Sequence, residues 1–408
     1  MASPVPDLPE ALWARVKTHQ ADPDALPGPD VAAELIAWCE GRHPNDLQAL
    51  LDALRAEGAY AVSLEVLEEA WNAELPLTVL GRVAEDWIGT VLHGVGDRAG
   101  ASVVATHLVP RAKALGAAFA GDLGHLCLEW RLYAAADPLV RFAAADHPGD
   151  TALQYALGVV TKLAGEWDKS RDAFRAVLAQ RPDEHGALWS LGIACTALED
   201  WVGARDAWGR LGLTLPPGDG DFAAAGDATP VRLPTAGAPD APVPFEVVWG
   251  VRLCPARARL VGIPRFSLLA AHGDVVLLDG EATGETQGPD GQPRAILPAL
   301  DRWGPPAARP RFVMRGPLED PRDRGRLQQA LGELARAGFP VADWTGLDGA
   351  PDRLMAALVL PSDRAPAEAE AAAQDALGAL PLFWPELRRA AGLDATAHHA
   401  ALADEGIP

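Results

Sequence analysis

Histidine and acidic side chains stand close together at two places in the sequence. On an expected helix, His125 precedes Glu129 by four residues, a spacing that puts both side chains on one helix face. Such a pair could hold a metal ion or a partner, although a salt bridge within the helix is the simpler interpretation. His272, Gly273 and Asp274 precede an expected strand and would suit a site on a β-turn, but turn geometry explains the Gly-Asp pair equally well.

Three further patterns contain residue types that could bind metal or catalyse a reaction, but each has a simpler explanation. The Asp-Gly-Asp sequence at 219–221 lacks the spaced ligands and closing glutamate of a calcium loop, which favours a polar turn. Cys195 has no histidine or acid at a spacing typical of an activated nucleophile. His398 and His399 fall in a tail that we expect to be exposed. The motifs GxSxG, HExxH, GxGxxG and the P-loop do not occur, so we predict a non-enzymatic protein with no cofactor and no metal site.

Composition limits the classes of partner. The 408-residue chain has a formal net charge of −21, so it gains nothing from counterion release on nucleic acid or on an anionic membrane. A basic protein partner is compatible with this charge. The four cysteines form no CxxC pair, no secretory leader is visible, and no apolar run reaches 18 residues. Together with the scarcity of lysine among the basic residues, these features predict a bacterial cytoplasmic protein; its oligomeric state stays open.

The elements that must position any site are helices with a repeat of 34 residues. With Thr151 as position 1, the second copy begins at His185. Each copy predicts two helices, because apolar residues recur with a 3.6-residue period and a proline ends the second helix. The matching pairs are Leu157 and Leu191, Gly158 and Gly192, Trp167 and Trp201, the Arg-Asp-Ala runs at 171–173 and 205–207, Phe174 and Trp208, and Pro182 and Pro216.

A weaker copy occupies residues 117–150, with Leu-Gly at 123–124 and a closing Pro148. Its first helix is predicted to continue through Trp130 and Tyr133. Asp-Pro at 137–138 would then supply the N-cap and the first residue of a shortened second helix. Six helices in other registers are predicted upstream, at 9–18, 30–41, 45–57, 61–73, 77–92 and 99–115.

The 34-residue units resemble the tetratricopeptide repeat family. The resemblance rests on the Leu-Gly pair of the first helix, the aromatic residue that opens the second, the small residue three positions later, a further aromatic residue and the closing proline. It is strong over 151–218 and moderate over 117–150. The sequence departs from the family at its helix-A tryptophan position, which holds Gln154 and Leu188. The resemblance implies stacked helical hairpins whose first helices line a concave groove.

In this family, positions 2, 5, 9, 12 and 13 of the first helix usually face the groove. The resemblance therefore implies an apolar groove with aromatic anchors, which suits a partner helix or an apolar peptide. It does not favour the carboxylate clamp of some members, which needs Lys, Asn and Arg at these positions. An alternative is that the next helix or the protein's own second half covers the groove. The candidate partner-binding residues are Tyr155, Val159, Lys162, Trp189, Ile193, His125 and Glu129.

After the repeats the sequence changes character. The predicted fold class is α + α/β mixed and multidomain, with an all-α helical-hairpin solenoid over 1–215 and a linker rich in Pro and Gly over 216–244. A small β unit over 245–303 follows, in which Phe245 and alternate residues to Leu253 share one face. Residues 304–408 are predicted to form an α+β ferredoxin-like module of order β-α-β-β-α.

The sequence thus favours a non-enzymatic interaction or adaptor protein that binds another protein in the groove of its solenoid. Two other functions stay open at this point. The acidic chain could act as an immunity or inhibitor protein that neutralises a basic toxin or effector. Alternatively, the solenoid could be the scaffold of a small-molecule-binding or enzymatic C-terminal α+β domain.

Overall fold

The computed structural model describes residues 5, 8–21, 31–39, 44–224, 226–235, 244–347, 352–405 and 407. The chain divides into an N-terminal unit, residues 1–182, and a C-terminal unit, residues 183–408. The sequence predicted a boundary near 215 instead. The last 34-residue hairpin therefore belongs to the same unit as the strands that follow it.

The N-terminal unit is built from helical hairpins. All six helices predicted upstream of the repeats are present, and the α5 helix continues through a π-helical turn at Thr90–Val95. Their apolar faces form one core with the helices of the first repeats. The helices are α1 (Glu10–Ala21), α2 (Val31–Cys39), α3 (Pro44–Ala56), α4 (Tyr60–Asn72), α5 (Leu77–Gly89), α6 (Arg98–Ala114), α7 (Ala117–Glu129), α8 (Tyr133–Asp146), α9 (Thr151–Leu163) and α10 (Trp167–Gln180).

The 34-residue period is kept by the backbone. Helices α7 and α9 begin 34 residues apart, and so do α8 and α10. Each turn between the two helices needs a left-handed residue, which is Arg131 (φ 57°), Gly165 (φ 72°) and Glu199 (φ 58°) at successive 34-residue steps. The prediction that the first helix of 117–150 continues through Tyr133 is therefore wrong: the turn at Arg131 ends it, and Pro138 lies inside α8.

A glycine at position 8 of each hairpin allows its two helices to approach closely. A Cβ atom on Gly158 would lie 2.7 Å from the ring of Phe174, and one on Gly192 would lie 2.5 Å from the ring of Trp208. Both separations are shorter than carbon atoms tolerate in a packed core. The repeated Leu-Gly and aromatic positions are therefore two halves of one contact.

The C-terminal unit begins with the hairpin α11 (His185–Ala197) and α12 (Trp201–Arg210), followed by a closed five-stranded barrel. The barrel contains β1 (Ala228–Pro234), β2 (Phe245–Cys254), β3 (Arg257–Leu260), β4 (Val275–Leu278) and β7 (Leu297–Trp303), while β5 (Glu285–Gln287) and β6 (Pro293–Ala295) pair separately. The prediction of a linker over 216–244 differs from the structure, because strand β1 lies within that range. Neighbouring strands pair antiparallel, except that β7 closes the barrel by pairing parallel to β1.

The face of β2 that enters the barrel is not the one that carries Phe245 and the alternate residues to Leu253. Val248 is buried and Gly250 points inward, whereas Phe245 and Val247 are exposed. A Cβ atom on Gly250 would already lie 3.0 Å from the carbonyl oxygen of Arg259. Val248 packs in the barrel core with leucines of the neighbouring strands, such as Leu233 and Leu260, and the large apolar residues on the other face of β2 lie outside.

The remaining residues form an antiparallel sheet covered by helices. Its strands are β8 (Arg311–Pro317), β9 (Val341–Asp343) and β10 (Arg353–Val359) in the order β8-β10-β9, and Phe383 makes a further bridge to β8. The helices are α13 (Asp323–Arg336), α14 (Pro366–Leu377), α15 (Pro385–Ala390) and α16 (Thr396–Asp404). The element order therefore follows the predicted β-α-β-β-α, and β10 is apolar on both faces because both are buried.

The contact between glycine and ring yields a prediction with a matched control. Gly192→Ala should destabilise the C-terminal unit by about 1–3 kcal/mol, because the added methyl displaces the ring of Trp208. Gly209→Ala in α12 meets nothing within 4 Å, so it should stabilise by up to about 1 kcal/mol through helix propensity. Thermal unfolding followed by circular dichroism measures both shifts. Equal shifts of the unfolding temperature in the two variants would contradict the steric argument.

Candidate functional site

The candidate site of the N-terminal unit is a cleft of about 540 Å³ between α5 and α7. Both are first helices of their hairpins, and α9 follows next in the same layer. Leu77, Phe119 and Leu126 supply apolar lining. Leu77 is 51% exposed although it is the first residue of a helix with a buried apolar stripe, so the cleft presents apolar surface to solvent.

The cleft is open because of Gly81 and carries charges at its edge. A Cβ atom on Gly81 would meet only the ring of Phe119, at 3.9 Å, so a small side chain fits there without strain. Arg82, Glu85 and Asp122 also line the cleft and are exposed. An apolar floor with charges of both signs around it can bind an amphipathic helix or peptide, in which polar groups flank apolar anchors.

The sequence-predicted groove residues of this unit lie on the next part of the same helical layer. His125 and Glu129 are on α7, half-buried and exposed respectively, and among the described residues they form no ion pair with each other. On α9, Val159 is half-buried and Lys162 is only 7% exposed. Tyr155 packs edge-on against Phe174, with ring centroids 5.6 Å apart. None of these five residues lines the cleft between α5 and α7.

A hydrogen-bonded cap fixes the start of α9 next to these residues. The carboxylate of Asp150 accepts hydrogen bonds from the amides of Ala152, at 2.8 Å, and Leu153, at 3.1 Å. The amide of Leu153 contributes most to a pKa of Asp150 below its ordinary value, and the imidazole of His125 contributes further. The nearby histidine therefore favours the charged cap.

The other two predicted groove residues, Trp189 and Ile193, pack within the C-terminal unit, Trp189 half-buried and Ile193 fully buried. Ile193 is fully buried, so the interpretation of this residue as a partner contact is corrected. Trp189 packs edge-on against Trp208, with centroids 5.0 Å apart, and its indole occupies the space over Gly280 at the end of β4. The large ring fits against the barrel only because Gly280 has no side chain.

A buried arginine forms a second contact between the last hairpin and the barrel. Arg257 on β3 is 0% exposed and is paired with Asp221 through both of its terminal nitrogens. Its guanidinium lies 4.4 Å from the ring centroid of Trp303 and 5.0 Å from that of Trp201, which opens α12. This pairing lowers the pKa of Asp221, chiefly through the hydrogen bond from Arg257.

Sequence reasoning did not identify the Arg257 cluster. The Asp-Gly-Asp turn was recognised, but its partner lies 36 residues further along the chain. Trp201 was recognised as a repeat residue and not as one that contacts a cation. The only available signal was that Arg257 lies between two alanines at the start of β3, and this does not specify which acid it meets.

The other residues considered for catalysis have structural contacts. Asp274 accepts hydrogen bonds from the amides of Ala271 and Ala307, and His272 contacts the carbonyl oxygen of Val261 at 3.1 Å. The thiol of Cys195 is buried and lies 3.7 Å from the carboxylate of Asp200. Within the described parts of the chain, no three potential metal ligands cluster together. In the same residues, every helix is too short or too polar to cross a membrane.

The expectation that His398 is exposed is wrong. Its Nδ1 atom accepts a hydrogen bond of 2.9 Å from the amide of Trp384, and its ring packs edge-on against that indole at 5.1 Å. Burial lowers the pKa of His398, and the charge of Arg388 lowers it further, while Glu370 opposes the shift and His399 adds to it. His399 is exposed and contacts Arg389.

No family model matches the chain, and no curated protein matches it. Solved structures of MamA resemble its helical N-terminal region. MamA from MSR-1 is 20% identical, with 41% of this chain and 94% of that chain covered and a TM-score of 0.31. MamA from Desulfovibrio magneticus RS-1 is 18% identical, with 41% and 91% covered and a TM-score of 0.30. A likeness of this size carries no argument about function.

The contribution of the Arg257–Asp221 ion pair to stability can be tested by comparing substitutions at Asp221 and at its neighbour Asp219. Asp221→Asn should lower stability at pH 7 by about 1–2 kcal/mol, because it leaves a buried guanidinium without its counter-charge. The exposed Asp219 offers the matched control, Asp219→Asn, which should be neutral. Because the folded pKa of Asp221 is lowered, its contribution is present above about pH 3.9 and disappears as pH falls through the folded pKa. A pH-independent difference between Asp221→Asn and the natural chain would contradict this.

The hydrogen bond to His398 predicts sensitivity to acid. Because the folded pKa is lowered, this residue stabilises the fold above about pH 6.5, and that contribution is lost as pH falls below this value. His398→Ala should cost about 0.5–1.5 kcal/mol at pH 7.5 and less at pH 5.5, as measured by thermal unfolding. His399→Ala serves as the control. The prediction fails if both variants respond to pH in the same way.

Proposed function

We propose that this is a non-enzymatic interaction protein that binds a partner helix or apolar peptide in the cleft between α5 and α7. The observation that carries the proposal is the cleft itself: about 540 Å³ of partly apolar space between two first helices of the hairpin layer. Its size matches the apolar face of a helical or extended segment, which buries a few large anchors while its polar face stays in water.

The residues of α7 and α9 extend this proposed binding surface. Tyr155, Val159 and His125 are half-buried, so each keeps part of its side chain available to a partner that enters the layer beyond the cleft. Glu129 is exposed at the end of α7 and adds charge there. Lys162 is buried and contributes to packing in this proposal. Ile193 is excluded because it is fully buried, and Trp189 is excluded because its indole already packs over Gly280 of its own unit.

The C-terminal module has a fold that we interpret as ferredoxin-like. With Phe383 counted as a fourth strand position, the order across the sheet is Phe383, β8, β10, β9, and adjacent members pair antiparallel. This is the arrangement that a β-α-β-β-α-β chain produces when two helices cover one face of its sheet. An immunity function and a catalytic C-terminal domain stay predictions from the sequence.

Filling the cleft tests the proposed function directly. Gly81→Leu places a side chain in the cleft, and Gly81→Ala is the matched control because its methyl fits in the available space. Both changes raise helix propensity, by up to about 1 kcal/mol, so neither should unfold α5. Proteins retained by the tagged full chain from its natural cells are quantified by mass spectrometry.

We expect Gly81→Leu to reduce retention of the partner by about tenfold or more, and Gly81→Ala to retain it as the natural chain does. Circular dichroism should show the same helix content in all three proteins. Retention of the same proteins by all three would refute binding in the cleft.

A further inference from the structure

The outer face of the barrel carries apolar side chains that the described residues leave partly exposed. Phe245 is 36% exposed, Val247 is 41% exposed and Val261, next to the end of β3, is 47% exposed. Phe245 and Val247 lie on the face of β2 opposite Val248, which packs in the barrel core. These three partly exposed apolar residues supply the apolar part of a surface whose charge is described next.

Two arginines flank this apolar surface. The guanidinium of Arg232 lies 3.9 Å from the ring centroid of Phe245, and the same arginine stands opposite Val247 in the strand pairing. Arg259 stands opposite Val251 on the adjacent strand and is exposed. Among the described residues, neither arginine forms an ion pair, although the chain has 56 acidic residues against 35 basic ones.

The same face already binds an acidic segment of this chain. Arg257 precedes Arg259 by two residues on β3, so both point to the outside of the barrel. Arg257 is held by the carboxylate of Asp221, and the ring of the next residue, Phe222, lies 5.8 Å from the guanidinium. An acid followed by an aromatic residue thus satisfies an arginine on this face.

We propose that the outer patch, defined as Arg232, Phe245, Val247, Arg259 and Val261, docks an acidic segment of another protein. The segment places aspartate or glutamate on the two arginines and an aromatic or aliphatic side chain on the valines. Positive charge on the patch complements negative charge on the segment, which sets its orientation and excludes basic segments. This surface belongs to the C-terminal unit and does not depend on the cleft between α5 and α7.

Site-specific photo-crosslinking in the cells that naturally make the protein tests this proposal. A benzoyl-phenylalanine replaces Val247 in the full chain, and in a control protein it replaces Val202, which is 68% exposed on α12. The crosslinked peptide is sequenced by mass spectrometry. The experiment is repeated with Arg232→Glu/Arg259→Glu and with Arg232→Lys/Arg259→Lys, all checked for native helix and strand content by circular dichroism.

We expect an adduct specific to position 247 whose peptide is rich in Asp or Glu and contains an aromatic or aliphatic anchor. The glutamate variant should reduce its yield about tenfold or more, because like charges then face each other. The lysine variant should keep most of the yield, since it keeps the charge. Four outcomes would overturn the proposal: no adduct specific to position 247, an adduct with a second copy of this chain, a crosslinked peptide without acids, or equal yield from the glutamate variant.

Discussion

The structure depends on close packing of aromatic rings against glycines. In each of the two best-preserved hairpins the ring at position 24 occupies the space that a Cβ atom at position 8 would take, as Trp208 does at Gly192. Trp189 extends this contact, because its indole meets Trp208 on one side and Gly280 of the barrel on the other. One continuous line of ring contacts thus joins the last hairpin to the barrel. Side chains at these glycines would separate the elements, since packed interiors cannot absorb a methyl group freely.

Arg257 adds an electrostatic contact to this apolar one. A fully buried guanidinium is costly unless a carboxylate and further hydrogen bonds satisfy it, and Asp221 and the thiol of Cys254 do so here. The rings of Trp201 and Trp303 stack beside it and exclude water. The tryptophan that opens the second helix of the last repeat is therefore used for contact with the barrel, and the hairpin has the role of a connector within the C-terminal unit.

Each of the two units has one proposed binding surface. The first-helix layer of the N-terminal unit keeps an open cleft between α5 and α7, where Gly81 leaves space beside Phe119. The C-terminal unit keeps the outer patch of its barrel, with Arg232 and Arg259 directed outward. The two surfaces differ in chemistry: the cleft combines apolar lining with charges of both signs, and the patch combines apolar side chains with positive charge alone. We therefore propose different segments for the two surfaces.

The sequence by itself determined the local structure. The 34-residue period, the proline at its end and the 3.6-residue spacing of apolar residues specified the helices, because these signals act over one or two turns. The order β-α-β-β-α followed from the same local patterns. The period also overrode Asp-Pro at 137–138, since the left-handed turn at Arg131 fixes where α8 begins.

Only the tertiary structure decided which faces are used. The alternation in β2 shows which residues share a face, but a period of two does not say which face enters the barrel. That choice depends on how all five strands close into the barrel. One of them is β1, whose composition is unlike that of a typical strand. Likewise, Trp189 has the position of a groove residue, yet a glycine 91 residues later gives it an internal partner. Contacts between residues this far apart in the sequence form only when the whole chain folds, and local residue patterns do not encode them.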